Sequence, residues 1–497
     1  MRLAPSILGL SVAFGLPTLA QDLDDRHLPV GPDPESTREA LIVGLADPSR
    51  RAAAEHLPGG SATVSATGKD DAFSQPSGGM SGEALNLFNR GNALFRKLWI
   101  AAPSARPNSD GLGPLYNARS CQACHLRDGR GHPPEGHDDD AISMVLRLSV
   151  PSGTSAAEIE GWIATAPDPA LGGQLQDFAA PGMKAEGSFM VTYAEIPVTL
   201  ADGTTVSLRA PTYALGPDPL PEGLMTSPRV APQMIGLGLL EAVPAADILA
   251  LADPDDRNDD GISGRAQIVP SVEFGVPMLG RFGLKAGAPT IREQTAAALS
   301  ADMGLSSPLF PDPWGDCTPA QTECRLSPHG QDIGGSPEVS AEALELLTFY
   351  ARNLGVPARR GAADPLVKAG EKVFTDTGCA LCHNPGFVTS FLQGQPEQSA
   401  QAIFPYTDLL LHDMGPGLAD NRPEGRASGQ EWRTPPLWGI GLSETVSGHS
   451  QFLHDGRARS LLEAILWHGG EAEDQRDAVA TMSPEERAAL LAFLASL

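Results

Sequence analysis

The sequence predicts a mainly α protein in two halves, with a β-rich insertion in the N-terminal half at about 140–230, and three observations predict it. The first is size: 497 residues is about three times a common domain length of about 150, so more than one core is expected. The second is helical periodicity, as in Leu85, Leu87, Phe88, Leu94 and Phe95, and again in Ala343, Leu347, Tyr350 and Leu354 behind the capping residue Ser340. The third is a change to period two in Phe189-Met190-Val191-Thr192-Tyr193 and Val206-Ser207-Leu208, which flank the hairpin-type turn Ala201-Asp202-Gly203.

Taken in order, Arg2 precedes an apolar run from Ile7 to Leu16 and a small-x-small site at Thr18-Leu19-Ala20, so residues 1–20 read as a secretory signal peptide cleaved near Ala20. That run is too short to cross a bilayer core of about 30 Å, and a periplasmic location is expected. Residues 21–80, broken by Leu57-Pro58-Gly59-Gly60 and Gln75-Pro76-Ser77-Gly78-Gly79, read as an irregular arm. Residues 81–354 form the first domain, with the β-rich insertion inside it. Between Asp253 and Gly264, Asp256, Asn258, Asp260 and Gly261 fit the start of a calcium loop, although Gln267 rather than Glu stands at the twelfth position; a solvated acidic turn is the other reading. Residues 355–365, rich in Gly, Pro and Ala, read as a linker, and 366–497 as the second domain. Its opening helix includes Gly370 to Phe374, and its closing helix has Ser483 as N-cap, Pro484 at the first position and Glu486 at the third.

Composition narrows the function. The net charge of −26 repels phosphate backbones and anionic lipid, which excludes nucleic-acid binding and favours a cationic protein partner. Gly 54 and Pro 45, about a fifth of the chain together, imply long loops. After the first twenty residues no segment approaches the length of a membrane span.

The six cysteines fall into three pairs. Cys121-Gln122-Ala123-Cys124-His125 and Cys379-Ala380-Leu381-Cys382-His383 match the c-type haem attachment signature. Thiols three positions apart on a helical turn can add to the two vinyl groups of one haem, and the adjacent histidine then reaches the iron. Zinc would require two further paired ligands for each site, and the sequence offers none at suitable spacing. Two covalently bound haems c are therefore expected, with His125 and His383 as iron ligands, in two cytochrome c-like haem domains. Cys317 and Cys324 lack a following histidine and read as a local disulfide.

Beyond these motifs, most of residues 83–497 resembles the bacterial di-haem c-type oxidoreductases, also labelled peroxidases or thiol oxidoreductases, which are related to the di-haem cytochrome c peroxidases and MauG. The resemblance is carried by Gly111-Leu112-Gly113-Pro114-Leu115-Tyr116-Asn117, Gly236-Leu237-Gly238-Leu239-Leu240-Glu241, Asp260-Gly261-Ile262-Ser263-Gly264-Arg265, Gly280-Arg281-Phe282-Gly283, Leu411-His412-Asp413-Met414-Gly415, Trp432-Arg433-Thr434-Pro435-Pro436-Leu437-Trp438-Gly439 and Phe452-Leu453-His454-Asp455-Gly456-Arg457.

The resemblance implies a C-terminal haem whose sixth ligand lies between His383 and Trp432, where Met414 and His412 are the Met and His residues present; Met414 is the first choice, with Tyr406 a MauG-like possibility. It implies a reactive N-terminal haem with an open distal side. His132 and His137 are the nearest possible ligands there, and both also read as surface residues. Ile291-Arg292-Glu293-Gln294-Thr295 resembles the peroxidase helix that supplies a distal glutamine, so Gln294 is the candidate catalytic residue. Ten positions later that helix carries an acid, whereas this chain has Gly304, which leaves Asp302 or Glu241 as substitutes. His449 reads as a loop residue. His454 and His468 read as core histidines or helix-end cations, and Arg457 as a partner for a propionate.

The function so implied is electron transfer through two covalent haems, reducing hydrogen peroxide with electrons from a periplasmic donor protein. The alternatives are a di-haem electron carrier without catalysis, or haem-dependent oxidation of another substrate.

Overall fold

The computed structural model describes residues 34–65, 69–106, 109–134, 142–153, 158–216, 222–331 and 335–497. The signal peptide expected at 1–20 and His137 lie outside these residues. The expectation of a mainly α, cytochrome c-like fold is overturned: the described residues are only 31% helical and 19% strand. The described strands form eight small sheets, seven of them two-stranded. The physical reason lies in the breakers. Frequent Gly and Pro interrupt the apolar stripes before they extend far, so the longest described helix, Gly82–Phe95, has 14 residues. The segment read as an irregular arm contains the helices Pro34–Leu45 and Pro48–Ala54.

Two helical packings position the cysteine motifs. Ala341–Arg352 packs on both Gly82–Phe95 and Ile291–Met303, burying Phe88, Phe95, Leu299, Met303, Leu344, Leu347 and Tyr350 in one core. The Phe88 and Phe95 rings meet Tyr350 at 4.8 and 5.1 Å, and Cys121 packs at the edge of this cluster. The Ser340 hydroxyl caps the second of these helices by accepting from Ala343 N at 3.2 Å. In the C-terminal part, Pro365–Asp376 packs on Pro484–Ser496, which begins with a capping box formed by Ser483 and Glu486. The two helices approach so closely that a Cβ on Gly370 would collide with the Ala489 carbonyl. Phe374, Phe493 and Tyr406 fill the core beside them.

The β structure is concentrated between these packings. A hairpin of two twelve-residue strands pairs Ser188–Thr199 with Thr205–Gly216, and its turn closes through Gly203 at φ 87°. Met144–Pro151 pairs antiparallel with the distant Met225–Val230 and buries Leu146 and Leu148. Cys317 and Cys324 are joined in a disulfide that closes a seven-residue separation.

Close to that disulfide, three partly buried carboxyl groups lie together. Asp316 accepts from Gly173 N and Gln174 N at 2.7 and 2.9 Å, and Glu186 accepts from Gln176 N at 2.8 Å. Burial raises Asp177 and Glu186 to about 7 and Asp316 to about 6, and their mutual repulsion adds to the shift of Glu186. Folded values above the unfolded ones mean that the protonated forms stabilise the fold. This contribution is complete below about pH 4 and is lost as pH rises through 6–7. In Glu186→Gln it should vanish for one group: the stability gap between wild type and variant, measured by urea unfolding, should shift by about 2–3 kcal/mol in the variant's favour from about pH 5 to about pH 8. A gap independent of pH would refute this account.

Candidate functional site

The first motif lies on a four-residue helix, Cys121–Cys124, which sets the two thiols one turn apart, with His125 as its C-terminal cap. Both cysteines are unbridged. Burial raises the Cys121 thiol to about 12 and Cys124 further still, and the negative charge of Asp302 adds to both shifts. The thiols are therefore neutral. The His125 Nδ1 lies 2.8 Å from the Pro232 carbonyl oxygen. A carbonyl only accepts, so Nδ1 carries the proton and Nε2 keeps its lone pair. Burial lowers the pKa of His125, which favours this neutral ring. Phe95 flanks the imidazole at 6.3 Å. Beneath it, Asp128 accepts from Ser74 Oγ at 2.6 Å and from the Tyr350 hydroxyl at 2.9 Å.

The second motif repeats this arrangement in different local structure. A 3₁₀ turn, Cys379–Leu381, begins after Gly378, whose φ of 87° suits glycine. His383 Nδ1 donates to the Tyr406 carbonyl oxygen at 3.0 Å, again leaving Nε2 available. Burial raises Cys379 to about 12 and lowers His383 to about 4. The Tyr406 ring sits edge-on to Phe374 and Phe493 at 5.8 and 5.6 Å.

The remaining predicted residues are scattered. His412 has both nitrogens on carboxylates, Nε2 at 2.7 Å from Asp408 and Nδ1 at 2.7 Å from Glu471. Burial opposes its protonation, yet these hydrogen bonds hold its pKa well above the ordinary histidine range. Met414 directly precedes the short helix Gly415–Leu418. Glu241 is occupied at both oxygens, by Ile291 N at 2.9 Å and by Arg352 at 2.7 Å. Asp302 accepts from Gln174 at 2.9 Å. Gln294 lies on the helix Ile291–Met303 with its side-chain oxygen beside Gly283. His132 stands edge-on to His449 at 5.2 Å, and the His449 Nε2 lies 3.0 Å from the Arg130 carbonyl. The calcium-loop side chains turn onto their own loop: Asp256 accepts from Asp260 N and Gly261 N, and Asp260 from Ile262 N. Gln267 points instead to the Glu424 carbonyl, and among the described residues no group of three or more His, Cys, Asp and Glu is arranged to hold a metal ion.

Sequence reasoning missed a buried network around Trp432. The His454 ring stacks on Trp432 at 3.9 Å, and the Lys285 ammonium lies 4.5 Å above the same indole. Arg457, expected to be available for a propionate, is instead engaged by Asp455 at 2.8 Å and by the Gly417 carbonyl at 2.6 Å. Tyr213, from the long hairpin, donates to Asp455 at 2.8 Å. The sequence signal was present in two quoted segments, Trp432 to Gly439 and Phe452 to Arg457, but nothing in either one indicates that they meet.

Two pairs of neutral, unbridged thiols, each beside an imidazole whose Nδ1 is occupied and whose Nε2 is available, fit covalent haem in chemistry and in spacing. A thiolate metal centre would require easily ionised sulfurs, which burial here opposes. A family model described as "di-haem oxidoreductase, putative peroxidase" matches residues 53–219 and 220–497. No curated protein and no solved structure matches the chain.

Proposed function

Starting from the membership of this chain in the di-haem oxidoreductase family, we propose that it is an exported, periplasmic enzyme that carries two covalent haems c and reduces hydrogen peroxide. Haem, when bound, would supply the one-electron chemistry. The protein supplies attachment through Cys121 and Cys124 at one site and Cys379 and Cys382 at the other. The observation that carries this reading is the pair of fixed imidazoles: His125 and His383 each anchor Nδ1 on a backbone carbonyl, at 2.8 and 3.0 Å, and so present Nε2 in a set orientation.

The overall change is H₂O₂ plus two electrons and two protons giving two waters, with the electrons arriving singly from a donor protein. The chain's strong negative charge would draw a cationic donor at low salt. In this reading the C-terminal site accepts the electrons and the N-terminal site meets peroxide. Gln294 is the side chain we assign to hydrogen-bond peroxide. No described helix is long and apolar enough to cross a membrane.

Stopped-flow mixing of the reduced, haem-loaded protein with peroxide tests the proposal. Haem oxidation should be much faster than for free haem, and Gln294→Leu should slow it by about tenfold or more without loss of haem. Oxidation no faster than that of free haem would make the protein an electron carrier instead.

A further inference from the structure

We infer that His468, and not Met414, is the sixth ligand of the C-terminal iron, so that this haem is held between two imidazoles; the inference rests on the proposed haem attachment at Cys379, Cys382 and His383. His468 follows the helix Leu461–Leu466. Leu461 and Ile465 of that helix pack against the cluster that contains Phe374, Tyr406, Cys379 and Ala380. His468 stands two residues beyond the helix end, and its N–H still donates to the Ile465 carbonyl at 3.0 Å, which keeps it close to the residues that meet the second cysteine motif.

The ring is prepared in the same way as the two motif histidines. Its Nδ1 lies 2.7 Å from the Ala464 carbonyl oxygen, which fixes the proton there and leaves Nε2 as the free donor.

The chain after His468 is pinned. Glu471 binds His412 Nδ1 at 2.7 Å, Asp413 N at 3.2 Å and Ser263 N at 3.1 Å, and Arg476 reaches the His468 carbonyl at 3.3 Å. Gly415 and Gly470, both at positive φ, allow the two backbones to touch, since a Cβ on Gly415 would lie 2.7 Å from Gly470 N.

The other candidates are placed differently. His412 gives both nitrogens to carboxylates at 2.7 Å. Tyr406 sets its ring between Phe374 and Phe493, and its buried hydroxyl has no hydrogen-bond partner, so it is the remaining rival, and Tyr406→Phe should leave the spectrum unchanged. Met414 belongs to none of the apolar clusters of the described residues, whereas Leu461, Leu462 and Ile465, on the helix that leads into His468, are among the side chains that flank the cluster beside Cys379.

The test uses the full chain with haem loaded, its haem counted by the pyridine haemochrome assay, and reads ligation from magnetic circular dichroism and EPR. Wild type should show a bis-imidazole low-spin haem without the sulfur-to-iron charge-transfer band. His468→Gly should turn that haem high-spin while both haems stay attached, and added imidazole should restore the low-spin signal. Met414→Leu should leave the spectrum unchanged. A sulfur band in wild type, or loss of the low-spin signal in Met414→Leu but not in His468→Gly, would overturn the assignment while leaving the two-haem reading intact. A wild-type count below two haems would overturn that reading and this assignment with it.

Discussion

Replacing Cys121 and Cys124 with alanine should halve the covalently bound haem, from two per chain to one, and should abolish rapid oxidation by peroxide while the C-terminal haem still reduces and reoxidises with the donor. The argument is local. The two thiols stand one helical turn apart on Cys121–Cys124, and both are held neutral by burial beside an imidazole fixed on Pro232. A thioether to each vinyl carbon requires one sulfur from each cysteine, and no other unbridged cysteine lies in the N-terminal half. Acid–acetone extraction distinguishes covalent from dissociable haem. The matched control is Cys317→Ala/Cys324→Ala, which opens the disulfide and should leave both haems in place. Two extraction-resistant haems in Cys121→Ala/Cys124→Ala would refute the attachment.

Lys285→Met should produce the largest loss of stability of any single change in the network around Trp432, about 3–5 kcal/mol. Lys285 and Asp420 are both fully buried, and their charges meet at 2.8 Å. The ammonium also donates to the carbonyls of Arg422 at 3.0 Å and Ser428 at 2.8 Å, so all three of its protons are used. Burial lowers its pKa to about 8, a measure of the cost of keeping the charge there, and Asp420 is the main opposing influence. Removing the lysine would strand a buried carboxylate, which is the costly half of breaking such a pair. The double variant Lys285→Met/Asp420→Asn should recover most of the loss, because no buried charge is then left alone. Urea unfolding of the four proteins in this cycle measures the coupling. A loss below about 1 kcal/mol for Lys285→Met would show that the pair is not a structural anchor.

The legible parts of the fold were those written over short distances. The stripe from Leu85 to Phe95 became the helix Gly82–Phe95, Ser340 capped the helix Ala341–Arg352, and Ser483 with Glu486 formed a capping box. Each depends on residues within a few positions of one another, where propensity and side-chain spacing act directly. The mainly α expectation failed because it extended such stripes into stretches that Gly and Pro divide. In those stretches, pairing with remote segments decides the conformation, as when Met144–Pro151 finds Met225–Val230.

For the site, the sequence alone singled out the two Cys-x-x-Cys-His segments, because the covalent cofactor proposed here demands a fixed local spacing. Tertiary structure alone decided which carbonyls hold those histidines, Pro232 for His125 and Tyr406 for His383, and brought Tyr213 from the hairpin to Asp455. It also placed the His412 ring between Asp408 and Glu471, and set the face of the helix Leu461–Leu466 beside Cys379. The reason is physical: a ligand's partner can come from any segment that packing brings within hydrogen-bond reach, and packing sums weak apolar contacts over the whole chain, so it has no signature in any one stretch.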